Sequence, residues 1–154
     1  YLEIPGDTGN EGMNAALIRA IHECREKEIR FHYAILGNMA GIDILDMGNL
    51  AYNLLQNGIE ACSREEQGRE LEIVVRKEGD ILEIETDNTI PGSVLKNNPL
   101  LKTSKREKEK HGFGMESIQE IVERYHGSYG CWEEKGRFLQ RLTLIINSEQ
   151  KEKS

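Results

Sequence analysis

The segment from residue 46 to about residue 66 has an apolar side and an asparagine side at helical spacing. At 100° per residue, leucine, isoleucine, alanine and cysteine cover one side, and four polar residues share an arc of roughly 80° on the other: Asn49, Asn53, Asn57 and Glu60. Asparagine costs up to roughly 0.7 kcal/mol relative to alanine inside a helix, so a merely solvated face would favour Glu, Lys or Gln. The pattern predicts a helix that is capped by Asp46 and whose asparagines bind a ligand. A solvated polar face is the alternative interpretation.

The remaining periodicity predicts three helices and five strands in one domain. Helical spacing covers residues 13–28 and 113–125 in addition to the segment above. Alternating or β-branched runs predict strands over 29–36, 71–75, 81–85, 128–133 and 137–146, the last four of them forming two hairpins. The order α-β-α-β-β-loop-α-β-β predicts an α/β (α+β) two-layer sandwich, in which helices cover one face of a mostly antiparallel sheet.

Composition excludes several classes of protein. The chain has 154 residues, 38% of them apolar, which suffices for one two-layer core. No apolar run approaches the ~20 residues that cross a bilayer, and three distant cysteines indicate neither a disulfide framework nor a zinc site. A net charge of −7 disfavours nucleic acid and anionic lipid as partners. We expect a linker over residues 1–11, the folded domain over 12–146 and a polar tail over 147–154.

A second candidate site lies at residues 110–115, directly before the third predicted helix. Gly112 and Gly114 allow the backbone to approach a ligand closely, and the free N–H groups at a helix start can receive phosphate oxygens. The segment 96–110 holds six Lys or Arg residues and two Glu, a local charge of +4 in a chain of −7. The two features together favour an anionic ligand, whereas a solvated flexible loop is the alternative for either one alone.

Two ordered sequence boxes resemble those of a known superfamily. Residues 53–61, NLLQNGIEA, resemble the N-box of the GHKL superfamily, which contains bacterial histidine kinases, type II topoisomerase ATPases, a heat-shock chaperone and MutL. Residues 111–115, HGFGM, followed by IQEIVERYHG at 118–127, resemble its second glycine box and the helix after it. The similarity is greatest to peptide-sensing, quorum-type histidine kinases of Gram-positive bacteria. It implies the Bergerat fold, in agreement with the sandwich predicted above.

The resemblance implies a catalytic nucleotide site on the second helix. Asn57 is implied as the Mg²⁺ ligand, and Asn53, one turn earlier, is implied to lie near the phosphates of ATP. Glu60 on the same helix face is expected to belong to the nucleotide site. The glycine box and the basic segment are implied to complete that site through His111, Gly112, Gly114 and Met115 and through the lid cations Lys105 and Arg106.

The adenine-reading residue is implied at the end of the strand over 81–85. Asp87 or Asn88 falls where the superfamily places the side chain that contacts the adenine amino group. The usual D-x-G-x-G reads DNTIPG here, at residues 87–92, so the resemblance leaves the choice between the two open. A structural turn role is the alternative for Asn88.

The same comparison favours phosphotransfer over hydrolysis. Hydrolytic members place a Glu four residues before the magnesium-binding asparagine to activate water, but this chain has Asn53, whose amide cannot accept a proton at neutral pH. Transfer to a protein nucleophile needs mainly positioning and charge neutralisation. His22 is not expected to be that nucleophile, because the 30 residues between it and Asn53 hold a strand and not a second hairpin helix.

The resemblance therefore predicts the cytoplasmic ATP-binding catalytic domain of a membrane-bound, two-component sensor histidine kinase. Its implied cofactors are ATP and Mg²⁺. Its implied partners are the histidine-bearing dimerisation helices of the same kinase, to which residues 1–11 would link it, and then a response regulator. Neither nucleic acid nor direct membrane contact is expected. The alternatives are an anti-sigma-factor-type serine kinase, which shares the fold, and a non-catalytic nucleotide-gated interaction module.

Overall fold

The computed structural model describes residues 7–93, 96 and 114–146. Over these residues the chain forms the order of helices and strands that the sequence predicts. The elements are α1 (Glu11–Glu26), β1 (Arg30–Leu36), α2 (Ile44–Cys62), β2 (Glu70–Glu78), β3 (Ile81–Thr89), α3 (Gly114–Arg124), β4 (Ser128–Glu134) and β5 (Arg137–Ile145). The linker expected over 1–11 and the tail expected over 147–154 lie largely outside the described residues, and that division of the chain stays a prediction.

The two long helices begin at side-chain caps. Asn10 accepts hydrogen bonds from the backbone N–H groups of Gly12 and Met13, and Asp43 accepts one from the backbone N–H of Asp46 at 2.9 Å. The prediction that Asp46 caps α2 is wrong. Asp46 lies in the first turn, where its carboxylate accepts hydrogen bonds from Arg124 and from the Tyr125 hydroxyl. Helix α2 consequently begins at Ile44 and ends at Cys62, not near residue 66.

The five strands form a single sheet in the order β1-β2-β3-β5-β4. Strands β1 and β2 are parallel and are joined through α2, whereas the other neighbouring pairs are antiparallel. The two predicted hairpins are present, and each turns through a glycine with positive φ, Gly79 at 59° and Gly136 at 77°. The sheet is therefore mostly antiparallel, as predicted.

The helices cover one face of this sheet. Alternate residues of β3 and β5 point into the core between the sheet and the helices. The opposite face of the sheet carries ion pairs such as Arg76 with Glu83 at 3.1 Å and Arg141 with Glu85 at 2.7 Å. The two-layer sandwich predicted from the sequence is thus confirmed. The centre of the core is formed by Met13, Leu17, Leu50, Leu54, Leu71, Ile73, Leu82, Ile84, Ile118 and Leu142. No helix in the described ranges is long and apolar enough to cross a membrane.

Candidate nucleotide-binding site

Helix α2 presents Asn53 and Asn57, one turn apart, to the start of α3. Asn53 is only 9% exposed, and its Oδ1 lies 3.3 Å from the position that a Cβ would take at Gly114. A side chain at residue 114 would crowd this amide, so glycine keeps the space beside Asn53 open. Asn57 donates through Nδ2 to the sulfur of Met115 at 3.4 Å. The structure thus brings together four residues that the sequence assigned to one site.

A second hydrogen bond fixes the orientation of Asn57. Its Nδ2 also donates to Oε1 of Gln140, at 3.1 Å, so the side chain makes both of its hydrogen bonds through the nitrogen. Within the described part of the chain, the oxygen Oδ1 accepts none. Asn57 is half-buried, and a neutral amide oxygen is the kind of ligand that suits Mg²⁺. The orientation of Asn57 leaves this oxygen available to a ligand.

Strand β3 places the two candidate adenine readers on opposite faces of the sheet. Asn88 is fully buried on the helix side, where its Oδ1 lies 3.3 Å from the position that a Cβ would take at Gly58. Asp87 points to the other face, and its carboxylate accepts a hydrogen bond from Nε of Arg137 at 2.7 Å. Asn88 therefore shares the side of the sheet on which Asn57 lies, and Asp87 does not.

Asn88 carries a buried acceptor that lacks a partner within the described structure. Its Nδ2 donates to the backbone oxygen of Thr89 at 3.1 Å, but no hydrogen bond reaches its Oδ1. A buried polar atom left in this way costs about 1–3 kcal/mol. Such an atom in a native fold calls for an explanation, and the amino group of a bound base is one that would satisfy it.

Gln140 is a site residue that the sequence interpretation missed. It lies on β5, 1% exposed, between the buried Phe138 and Leu142, and accepts the hydrogen bond from Asn57 described above. The sequence did carry a signal for this role, which is the position of Gln140 among the inward-facing residues of a strand. A buried amide at such a position needs polar partners. Burial, together with the neighbouring Cys131, raises the pKa of Tyr129, so the Tyr129 hydroxyl stays protonated and donates to Gln140.

A comparison of the sequence with models of protein families shows which family this chain belongs to. The model described as "GHKL domain" matches residues 42–145, from just before α2 to the last residue of β5. The chain belongs to the GHKL family. The resemblance stated from the N-box and the glycine box is therefore confirmed at the level of the family. A comparison with curated protein sequences gives no match.

Solved structures of histidine kinases share this GHKL fold. The catalytic domain of histidine kinase ThkA superimposes with a TM-score of 0.69 at 17% identity, covering 97% of this chain and 99% of that one. The histidine kinase domain of the blue-light activated histidine kinase EL346 from Erythrobacter litoralis gives a TM-score of 0.68 at 9% identity, covering 99% of this chain and 68% of that one. ThkA in complex with the response regulator protein TrrA gives 0.63 at 16% identity, covering 91% and 41%. At these identities the likeness establishes the fold.

The other residues predicted for the GHKL site divide into two groups. Glu60 is half-buried on α2, one turn after Asn57. Asn49, at the other end of the asparagine stripe, is exposed and lines a groove between α1 and α2. The remaining predicted contacts lie outside the described residues: Lys105, Arg106, His111 and Gly112.

The donor set of this GHKL domain fits a metal that arrives with its nucleotide. In residues 7–93, 96 and 114–146, no group of three or more His, Cys, Asp or Glu side chains is placed to hold a metal ion. Mg²⁺ keeps several waters and takes ligands from substrate phosphates, so one protein oxygen such as that of Asn57 is sufficient. Because Asn53, Asn57 and Asn88 are neutral amides, their contacts do not depend on pH.

Proposed function

We propose that this chain is the ATP-binding catalytic domain of a two-component sensor histidine kinase, which transfers the γ-phosphate of ATP to a histidine on separate dimerisation helices. The observation that carries the proposal is the arrangement of Asn53 and Asn57 against Gly114 and Met115. This arrangement lies on a fold shared with histidine kinase catalytic domains. It is supported by the match of residues 42–145 to the GHKL family.

Three asparagines, the buried Asn53 and Asn88 and the half-buried Asn57, would divide the recognition of Mg²⁺-ATP among them. Asn57 would offer Mg²⁺ an oxygen that accepts no hydrogen bond within the described residues, and Asn53, one turn away, would lie near the phosphates. Asn88 would accept a hydrogen bond from the adenine amino group through its Oδ1, which has no partner within the described residues. Bound Mg²⁺ supplies neutralisation of the phosphate charge during transfer. The protein's own contribution is then positioning, which suits transfer to a nucleophile that another segment supplies.

Asn53 also favours transfer over hydrolysis. Its amide is almost fully buried beside Gly114 and cannot take a proton from water. A carboxylate at residue 53 would be able to do so. The isolated domain is therefore proposed to hydrolyse ATP slowly, so that the bound nucleotide persists until an acceptor histidine arrives.

The acceptor histidine is proposed to lie outside this domain. His22 is an exposed residue of α1, which packs on α2 as part of the domain's own helical layer. The dimerisation helices of the same kinase would provide the histidine, and a response regulator would receive the phosphoryl group next. One histidine kinase of this fold, ThkA, is known in complex with a response regulator protein. We further propose that the whole kinase is a membrane-bound sensor of the Gram-positive peptide-sensing type, with this domain in the cytoplasm.

Phosphotransfer in trans tests the proposed function. The chain is incubated with γ-labelled ATP, Mg²⁺ and a high concentration of the kinase's dimerisation helices, since tethering normally supplies the effective concentration of the acceptor. Acid-labile, base-stable label is expected on the added helices, and Asn57→Ala is expected to abolish it. Label on this chain that disappears in His22→Ala would contradict the proposal. Acid-stable label on a partner serine would favour the serine kinase, and nucleotide binding without any transfer would favour the interaction module.

A further inference from the structure

We propose that Gln140 is a positioning residue, which determines that the oxygen of Asn57, and not its nitrogen, faces the nucleotide-bound metal. The inference rests on the proposed function, because it concerns the same Mg²⁺ ligand. It follows from a chain of hydrogen bonds that begins at the backbone of α2, passes through β5 and returns to α2. Neither the GHKL match nor the sequence boxes assign any role to Gln140.

The nitrogen end of Gln140 is anchored first. Its Nε2 donates to the backbone oxygen of Leu54 at 3.1 Å and to Oγ1 of Thr86 at 2.8 Å. A backbone carbonyl can only accept a hydrogen bond. Turning the Gln140 amide over would therefore place Oε1 against the Leu54 oxygen, and two buried acceptors would then face each other. Because the side chain is 1% exposed, water cannot relieve this contact.

The oxygen end of Gln140 then determines the orientation of Asn57. Oε1 accepts hydrogen bonds from the Tyr129 hydroxyl at 2.7 Å and from Nδ2 of Asn57 at 3.1 Å. If the Asn57 amide turned over, its oxygen would face Oε1, and a hydrogen bond would be replaced by a repulsion between two acceptors. Gln140 thus holds the nitrogen of Asn57 inward, and the oxygen is left for the metal.

The anchor is local to the helix that carries the ligand. Leu54 lies three residues before Asn57 on α2, so Gln140 bridges two successive turns of one helix. Without this bridge, only the weakly accepting sulfur of Met115, among the described residues, still holds the nitrogen of the half-buried Asn57 amide inward. Residues that orient a metal ligand typically contribute 10–100-fold to metal affinity, although they do not touch the metal.

A merely structural role for Gln140 makes a different prediction. If its four hydrogen bonds only stabilise the sheet, replacing it weakens nucleotide binding equally with and without metal. If it orients Asn57, the loss is confined to the metal-dependent part. Gln140→Met is suitable, because methionine has a similar length but neither accepts well from Asn57 nor donates to Leu54. Leu142→Met is the matched control, since Leu142 is the next inward residue of β5 and is fully buried.

Isothermal titration with ADP, in Mg²⁺ and in EDTA, separates the two roles. Gln140→Met is expected to lower the affinity for Mg²⁺-ADP by about tenfold or more and to leave the affinity for metal-free ADP unchanged. Leu142→Met should match the unmodified chain under both conditions. In an Asn57→Ala background, Gln140→Met should cause no further loss of metal-dependent affinity, since the ligand that it orients is gone. An equal loss with and without Mg²⁺, or an additive loss in the double variant, would overturn the inference.

Asn57→Asp tests the same orientation without altering the buried sheet residue. Aspartate is ordinarily the better Mg²⁺ ligand, but it has no N–H group to give to Gln140, so one of its oxygens would face Oε1. The affinity of Asn57→Asp for Mg²⁺-ADP is therefore expected to fall below that of the unmodified chain, and an equal or higher affinity would overturn the inference.

If the unmodified chain binds ADP neither with nor without Mg²⁺, the proposed function fails, and the role of Gln140 fails with it. If the unmodified chain and Gln140→Met both bind normally, the proposed function stands and only the role of Gln140 is contradicted.

Discussion

Gly12 of α1 and Gly48 of α2 pack directly against each other where the two helices cross. A Cβ at Gly12 would lie 2.8 Å from the backbone nitrogen of Gly48 and still closer to the backbone oxygen of Ile44. A Cβ at Gly48 would lie 3.3 Å from the Cα of Gly12. Backbone atoms in a helix cannot move aside singly, so the contact brings α1 closer to α2 than other residues would allow. It thereby fixes the helix that carries Asn53 and Asn57.

The asymmetry of this contact predicts different costs for two alanine substitutions. Gly12→Ala forces a methyl group into backbone atoms and is expected to lower the free energy of unfolding by about 1–3 kcal/mol. Gly48→Ala meets a contact that is tight but not impossible, so its cost should be smaller. Alanine gains up to about 1 kcal/mol of helix propensity at either position, so the difference between the variants reports the packing. Urea unfolding measures both, and equal stabilities would contradict the close approach.

The placement of Asn88 and Asp87 on opposite faces predicts which of them reads the base. Asn88→Ala should weaken ADP binding by about tenfold, with or without Mg²⁺, because one hydrogen bond to the base is worth about 1 kcal/mol or more when its partner is left buried. Asp87→Asn is the matched control and should bind ADP normally, since Asp87 pairs with Arg137 on the far face. Fluorescence titration with a labelled ADP measures both. Loss of binding in Asp87→Asn with normal binding in Asn88→Ala would reverse the assignment.

The link between Glu23 and Gln56 predicts a pH-dependent contribution to stability. Burial alone would raise the pKa of Glu23, but hydrogen bonds from Gln56 at 2.7 Å and Lys27 at 2.9 Å hold that pKa below its usual value. A carboxyl with a lowered pKa stabilises the fold above its unfolded pKa, and this stability is lost as pH falls through the folded pKa.

Glu23→Gln should therefore lower the unfolding free energy at pH 7 by about 1 kcal/mol, because it removes a charge-assisted hydrogen bond. The difference from the unmodified chain should shrink as pH falls below about 4.3, the ordinary pKa of glutamate, and should disappear below the lower folded-state pKa, where the carboxyl is protonated in both states. Thermal unfolding of the two proteins across this range provides the measurement. A difference that stays constant down to pH 3 would show that the charge on Glu23 has no part in it.

The turns and alternating strands of this fold were predictable, because their signals are local. Gly79 and Gly136 mark hairpins whose backbone needs positive φ. The start of α2 was predicted three residues late, since Asp43 and Asp46 both precede helical spacing and only the geometry of the cap separates them. The parallel pairing of β1 with β2 depends on residues about 40 positions apart, which a local pattern does not report.

The candidate site was predictable only where its signals lie in short, local sequence boxes. Asn53, Asn57, Gly114 and Met115 meet as the two boxes imply. The choice between Asp87 and Asn88 was left open, although Asn88 has the same strand parity as the buried Leu82 and Ile84. Gln140 was missed because its partners lie on α2, β3 and β4 and converge only in the folded chain.

The central claim is that Asn57 binds a Mg²⁺-nucleotide complex through its oxygen. Isothermal titration with a non-hydrolysable ATP analogue and Mg²⁺ tests it on the unmodified chain, on Asn57→Ala and on Asn49→Ala, which changes an exposed asparagine of the same helix. The account predicts saturable binding by the unmodified chain and by Asn49→Ala, and at least about tenfold weaker binding by Asn57→Ala. Equal affinities of Asn57→Ala and the unmodified chain in the presence of Mg²⁺ would contradict it.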